Sequence, residues 1–204
     1  MKKKIITKSS LEKAIEDSIL AKNSLFLIEK KISLTVKEIY KKIKLGGKIF
    51  LCGNGGSAAD AQHLAAEFLV RLRPKINRKP IPAISLATDV STITACANDY
   101  SFNDIFSRNL EALGCSKDVL IAISTSGNSK NILNVLKCAK KKNITTIAFL
   151  GNKGGKALKI SDIPLIINSN NTARIQEAQI FLGHFIFEQV ENKILKLKKK
   201  SKVL

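Results

Sequence analysis

The sequence predicts a three-layer, doubly wound α/β fold with a central five-stranded parallel sheet and additional N-terminal helices. Short apolar runs typical of buried strands recur along the chain, and longer stretches with the apolar period of helices separate them. Because strands that are separated by helices pair in parallel, helices are expected on both faces of the sheet. The length of 204 residues, of which 45% are hydrophobic, suits one domain with a substantial core.

The chain begins with a helical region, predicted over residues 10–45 with a break near Asn23 and Ser24. This region precedes the first strand and has little sheet of its own to cover, so its apolar stripe is expected to pack against another subunit. The predicted division is an N-terminal helical oligomerisation segment (1–45), a sheet domain (46–197) and a basic tail (198–204).

From residue 48 onward, strand and helix patterns alternate. The strands are predicted at 48–52, 83–86, 118–124, 144–150 and 163–168. The helices are predicted at 57–71, 90–97, 103–113, 129–142 and 172–197, with a Pro-marked loop at 74–82 and a short helical turn near 153–160. In such folds, ligands bind at the carboxyl ends of the strands.

Composition limits the partners and the compartment. The net charge is +19, but Lys and Arg are spread over several segments and only 5% of residues are aromatic. A solvated lysine-rich surface is therefore favoured over nucleic-acid binding, with a secondary polyanion contact as the minor alternative. The four cysteines lack Cys-x-x-Cys spacing, and no stretch matches a signal peptide or the ~20 apolar residues of a membrane span. We expect a cytoplasmic protein without membrane contact.

A glycine-rich turn, Asn54-Gly55-Gly56-Ser57, joins the first predicted strand to the next helix. Backbone N–H groups in such a turn, together with the N-terminus of the helix, can receive phosphate oxygens or sugar hydroxyls. This turn therefore predicts a phosphorylated small molecule as ligand.

A second turn follows the strand predicted at 118–124 and carries hydroxyls at Ser124, Thr125, Ser126 and Ser129. These donors suit an anion, although such a turn alone is as often an exposed loop with Ser129 as a helix cap. Because both turns follow strands of one parallel sheet, one ligand can contact both.

His63 and Glu67 lie four residues apart on a predicted helix, so they share one face. They can move a proton between adjacent carbons or bind a metal ion, although such a pair alone more commonly stabilises a helix. The second of the two histidines, His184, lies on an apolar part of the last predicted helix, where a lone histidine is usually a core residue.

Together these motifs resemble the sugar isomerase (SIS) fold and, within it, the phosphoheptose isomerases. The resemblance covers roughly residues 10–192, and three further motifs support it: Ala97-Asn98-Asp99-Tyr100, Phe102-Asn103-Asp104 and Ala173-Arg174-Ile175-Gln176-Glu177. It implies conversion of sedoheptulose 7-phosphate to D-glycero-D-manno-heptose 7-phosphate through an enediol(ate), for bacterial heptose in lipopolysaccharide or capsule. It also implies a homotetramer whose core contains the N-terminal helices.

The resemblance also implies roles for single residues. It makes Glu67 and His184 the acid/base pair, and it implies one Zn²⁺ per subunit with the ligands His63, Glu67, Gln176 and His184. The implied substrate-binding residues are Asn54, Gly55, Gly56, Ser57, Glu67, Asn98, Asp99, Ser124, Thr125, Ser126, Ser129 and Gln176. Arg71 and Arg174 are additional candidate cations, although single arginines in a basic chain are more commonly surface or interface residues.

The implied metal site leaves alternatives open. Gln176 and His184 are eight residues apart on one predicted helix, about 12 Å along its axis. One ion can bind both only if the side chains reach towards each other, the helix is irregular, or another subunit contributes. As a ligand, Glu67 would also be a weaker base, so its share in metal binding and in proton transfer is open.

A second SIS family offers a non-catalytic alternative, a protein that associates with the bacterial replication initiator. That family tends to lack the equivalents of Glu67 and His184, and both are present here, so the isomerase is favoured. A sugar-phosphate sensor or a different SIS isomerase is the third alternative. The residues do not specify which heptose pathway the protein serves.

Overall fold

A computed structural model describes residues 9–196 and confirms the predicted fold class. Five parallel strands form one sheet in the order β2-β1-β3-β4-β5. The strands are β1 (Ile49–Gly53), β2 (Ala83–Ser85), β3 (Val119–Ser124), β4 (Thr145–Gly151) and β5 (Ile163–Ile167). The predicted basic tail, 198–204, lies outside the described residues.

Eight α-helices lie within residues 9–196. They are α1 (Ser10–Asn23), α2 (Glu29–Lys44), α3 (Gly56–Leu69), α4 (Val90–Asp99), α5 (Ile105–Leu113), α6 (Lys130–Lys141), α7 (Ala157–Ile160) and α8 (Thr172–Ile194). Two short 3₁₀ helices cover Ser24–Ile28 and Phe102–Asp104.

Helices cover both faces of the sheet and produce three layers. Alternate residues of β1 point to opposite faces, so Ile49 and Leu51 pack with α1, α2, α3 and α8. Phe50 and Cys52 pack with α4, α5 and α6 on the other face. Burial on both faces explains why the central strands are continuous apolar runs in the sequence.

The predicted helix break lies where the sequence places it. After α1 the backbone tightens into the 3₁₀ helix that begins at Ser24, which is buried. The Ser24 hydroxyl donates to the Ala21 carbonyl at 2.6 Å and accepts from the backbone N–H of Asn168 at 3.1 Å. The second bond attaches the bend to the segment that follows β5.

The N-terminal helices pack on their own chain to a greater extent than the sequence predicted. Ile32, Val36 and Ile39 of α2 are buried in the core that α8 and β5 share. They are buried there because the edge strand and α8 leave apolar surface that α2 covers. Other apolar side chains of this region are exposed: Leu11, Ile15, Ile19, Leu20, Phe26, Leu27 and Leu34.

None of the helices within residues 9–196 has the length and apolar character that crossing a membrane requires.

Candidate active site

The two predicted turns meet at one edge of the sheet. β1 and β3 are neighbours, and Gly53 pairs in register with Ile123, so Asn54 follows at the level of Ser124. The strand order reverses at this point, since β2 lies on the other side of β1. A reversal of this kind opens a crevice at the carboxyl ends of the strands, which is where small ligands bind in such folds.

Within the described part of the chain, the glycine turn leaves the N-terminus of α3 without a side-chain cap. Gly55 precedes the helix with a φ of +56°, a conformation that glycine adopts without the steric cost of a side chain. In the described structure no side chain caps the first turn of α3. The N-terminus of this helix therefore offers N–H groups and a positive dipole end to an anion or a sugar hydroxyl. Ser57, one residue into the helix, is buried.

The Asn54 side chain is held by a residue that the sequence reasoning did not single out. Its amide forms a reciprocal pair with Asn131 at the start of α6, with N···O distances of 2.9 and 2.8 Å. Asn131 is buried. The pair connects the glycine turn to the helix that follows the serine turn. A polar residue at the second position of a helix is too common to have marked Asn131 in the sequence.

Some hydroxyls of the serine turn form hydrogen bonds within the turn, and others are available to a ligand. Ser124 is buried and accepts from the Gly127 N–H at 3.1 Å, whereas the exposed Ser126 accepts from the Asn128 N–H at 3.2 Å. Ser129 precedes α6, but its side chain makes no capping hydrogen bond. The simple explanation of Ser129 as a helix cap is therefore not supported, and its half-buried hydroxyl can bind an anion.

His63, Glu67 and His184 come together from two helices. Their ligand atoms all lie within 4.8 Å of one another. The two histidine Nε2 atoms are 2.8 Å apart, and His63 Nε2 is 3.4 Å from Glu67 Oε1. Burial lowers the pKa of His184, and His63 lowers it further against the opposing charge of Glu67. This shift favours the neutral form of His184, which is the form that binds a metal ion or acts as a base.

Close packing of α3 on α8 produces this meeting. Gly183 lies directly against Leu64, where a Cβ would approach Leu64 Cδ1 to 2.5 Å. One turn further on, the rings of Phe68 and Phe187 stack with centroids 3.7 Å apart. A glycine inside a helix is costly unless another group needs the space. Here it allows α8 to approach the helix that carries His63.

Gln176 lies at the other end of this helix contact. Its amide nitrogen approaches Gly56 so closely that a Cβ there would lie 2.7 Å away. Because α8 is α-helical from Thr172 to Ile194, an irregular helix does not bring Gln176 to His184. The Gln176 side chain instead contacts the glycine turn. Its role as a metal ligand stays a prediction.

The remaining candidates are dispersed. Asn98 and Asp99 are exposed at the end of α4, where the Asn98 amide donates to the Asp99 carboxylate at 2.8 Å. Their sugar contacts stay predictions, as do those of Thr125. Arg174 donates to the Ala14 carbonyl at 2.7 Å and pairs with Glu177 at 2.6 Å, so it attaches α1 to α8. Arg71 is exposed.

The donor set of the His63, Glu67 and His184 group fits zinc. Two imidazole nitrogens and one carboxylate oxygen are a ligand set that catalytic zinc sites use, with a fourth position left for substrate or water. With Zn–N bonds of about 2.0–2.1 Å, two tetrahedral ligands lie about 3.3 Å apart. The histidine nitrogens at 2.8 Å need to separate by only about 0.5 Å to accept the ion.

Known proteins resemble this chain in sequence and in fold. Residues 20–151 match the family model of the SIS domain. A phosphoheptose isomerase from Clostridium acetobutylicum is 47% identical over 191 residues, which are 92% of this chain and 96% of the relative.

Two solved structures of phosphoheptose isomerases have the same fold. The protein from Neisseria gonorrhoeae matches with a TM-score of 0.82 and 37% identity, over 89% of this chain and 97% of that one. The protein from Francisella tularensis matches with a TM-score of 0.85 and 35% identity, over 91% of this chain and all of that one (100%). The fold and the paired turns thus define a SIS-domain sugar isomerase. Within that class, the chain belongs to the phosphoheptose isomerase family.

Proposed function

We propose that this isomerase converts sedoheptulose 7-phosphate to D-glycero-D-manno-heptose 7-phosphate in the cytoplasm, for bacterial heptose synthesis. The observation that carries the proposal is that α3, which begins at the glycine turn, brings His63 and Glu67 together with His184, while the glycine and serine turns meet at one edge of the sheet. One end of a sugar phosphate requires a phosphate site, and the other requires a base and an acid at adjacent carbons. The family membership supports the same reaction.

The reaction moves hydrogen between two neighbouring carbons. A base removes a proton from C1 of the ketose, and the electron pair moves to form the C1–C2 double bond of an enediol(ate). An acid then delivers a proton to C2, while the proton of the O1 hydroxyl passes to the former carbonyl oxygen O2, so that C1 becomes the aldehyde carbon and C2 carries a hydroxyl. We assign these two roles to Glu67 and His184, which enter the site from different helices and can serve adjacent carbons.

Zn²⁺ would be held by His63, Glu67 and His184. Gln176 would be a further ligand where its side chain reaches the ion. When bound, the ion would withdraw charge from the substrate oxygens as the enediolate forms. Proton transfer itself stays with the side chains.

The two turns bind different parts of the rest of the substrate. Ser124, Thr125, Ser126 and Ser129 supply hydroxyls and N–H groups for the phosphate, next to the N-terminus of α6. The glycine turn and Gln176 contact the sugar hydroxyls near the reacting carbons, where Gln176 already lies against Gly56.

We further propose a homotetramer built on the N-terminal helices. Phe26 and Leu27 are 76% and 81% exposed, and Phe26 lines one groove together with Phe181 and Phe185 of α8, which are also exposed. These side chains form one apolar surface that a second copy can bury. A Phe26→Glu/Leu27→Glu variant should shift the mass from tetramer to smaller species in light scattering. Leu113→Glu, at an exposed leucine on α5, should leave the mass unchanged.

The activity test uses sedoheptulose 7-phosphate and detects the aldose product, with and without added zinc. Glu67→Gln and His184→Gln should each reduce kcat by at least about a hundredfold, with the oligomer unchanged. Glu188→Gln, which removes a half-exposed carboxylate from the same face of α8 as His184, is the matched control and should remain active. An inactive wild-type protein that instead binds a replication initiator saturably would reverse the assignment in favour of the non-catalytic alternative.

A further inference from the structure

The amide of Asn131 has no role in the proposed reaction, yet its contacts lead directly to the site. It is 2% exposed and lies at the second position of α6. Its oxygen accepts from the backbone N–H of Ile132 at 2.9 Å and also from the Asn54 amide at 2.9 Å. Its nitrogen donates to the Asn54 oxygen at 2.8 Å.

These bonds determine the orientation of the Asn131 amide first and, through it, the orientation of the Asn54 amide. A backbone N–H is a fixed donor, so the atom of Asn131 that faces Ile132 must be the oxygen. Within the reciprocal pair, this orientation requires the Asn54 nitrogen to face the Asn131 oxygen. Asn54 retains one N–H and one acceptor position, and their directions are no longer free.

We propose that Asn131 is a positioning residue that fixes which end of the Asn54 amide meets the sugar. The inference rests on the proposed function, in which Asn54 contacts a substrate hydroxyl. The Asn131 side chain is buried, so it acts on the ligand only through Asn54. The pair also connects the glycine turn to the helix of the serine turn, so one orientation serves both halves of the ligand site.

A double-mutant cycle tests this dependence. Asn54→Ala and Asn131→Ala should each lower kcat/KM for sedoheptulose 7-phosphate by about tenfold, the value of one hydrogen bond, mainly through KM. The double variant should be no worse than Asn54→Ala alone, because Asn131 has no other route to the substrate. Losses that multiply in the double variant overturn the proposal.

Two further variants separate positioning from packing. Asn131→Leu keeps a similar volume but can neither accept from Ile132 and Asn54 nor donate to the Asn54 oxygen, so it should lose as much as Asn131→Ala. A leucine variant with wild-type KM shows that volume alone matters and overturns the proposal. Asn134→Ala is the matched control on the same helix, since that amide binds the Asn103 carbonyl and Asp104 instead, and its KM should stay within about twofold.

A substrate-free measurement distinguishes failure of this inference from failure of the proposed function. In ¹⁵N NMR spectra, one side-chain amide proton of Asn54 should be protected from solvent exchange in wild type and in Asn134→Ala, and unprotected in Asn131→Ala. Equal exchange in all three proteins overturns the inference. A wild-type protein that forms no heptose 7-phosphate overturns the proposed function, and the NMR result then decides the inference alone.

Discussion

Replacing Gly183 with alanine is expected to separate the two halves of the active site while the fold survives. The new Cβ would lie 2.5 Å from Leu64 Cδ1, 2.7 Å from Cδ2 and 3.2 Å from Cγ. Carbon atoms pack at about 3.5–4.0 Å, so α8 and α3 must move apart by about 1 Å. Gly183 precedes His184 and Leu64 follows His63, so this movement increases the distance between the two histidine side chains.

The expected magnitudes differ for stability and for activity. Alanine in place of glycine favours a helix by about 1 kcal/mol, and overpacking a core costs about 1–3 kcal/mol. The free energy of unfolding should therefore fall by no more than about 2 kcal/mol. A shift of about 1 Å would take the Nε2–Nε2 distance from 2.8 Å to about 3.8 Å, which is too long for a hydrogen bond and about 0.5 Å wider than the separation of two ligands on one tetrahedral zinc ion. Such a displacement at a reacting site costs about a hundredfold in rate.

The assay combines kcat for sedoheptulose 7-phosphate with thermal denaturation. Gly183→Ala should lose about a hundredfold in kcat with a Tm change of only a few degrees. Adding Leu64→Ala removes all three crowded atoms and should restore part of the activity, although Leu64→Ala alone costs about 2–5 kcal/mol through its cavity. A Gly183→Ala protein with normal kcat and a higher Tm would refute the reasoning, because Leu64 would then have room to rotate.

Three further predictions concern charge and metal. Glu191 is 1% exposed and accepts from Arg78 at 2.5 Å, so Glu191→Ala should lower the free energy of unfolding in urea by about 3–5 kcal/mol; a loss below 1 kcal/mol would contradict it. Burial raises the pKa of Asp118, but hydrogen bonds from Lys48 and from the Cys115 backbone N–H outweigh this and keep the pKa below its ordinary value. Asp118→Asn should therefore be less stable than wild type at pH 7, with the difference shrinking as the pH falls below about 4; a gap that persists in acid would refute it. Zn²⁺ added to chelator-treated protein should raise the Tm of wild type but not of His63→Ala, and equal shifts would place the ion elsewhere.

The elements and the two turns could be predicted from the sequence because their signals are local. A fully buried strand is a continuous apolar run, as in β1 and β3, and the turns that follow carry residues with distinctive backbone or hydroxyl chemistry. Their adjacency also followed, since parallel strands end at one edge. The amount of α2 buried on its own chain did not follow, because an apolar stripe does not specify which surface covers it.

The site was only partly predictable for the same reason. His63 and Glu67 share one helix, and their spacing placed them together. The family resemblance grouped His184 with them, but residue spacing did not, because the approach of the two helices depends on the contact of Gly183 with Leu64, where a side chain is missing. Asn131 had no signal at all, because its importance lies in a partner 77 residues away.

The sequence by itself determined the α/β class, the family and the chemical types available at the ligand edge, since periodicity and short motifs encode these locally. Only the tertiary structure decided which side chains meet. The packing distance of α8 from α3 places His184 at 2.8 Å from His63, and the network of amide hydrogen bonds orients Asn54. Both depend on contacts between residues that are far apart in the chain. A displacement of 1 Å in such a contact changes the chemistry of the site, although the amino-acid sequence pattern stays the same.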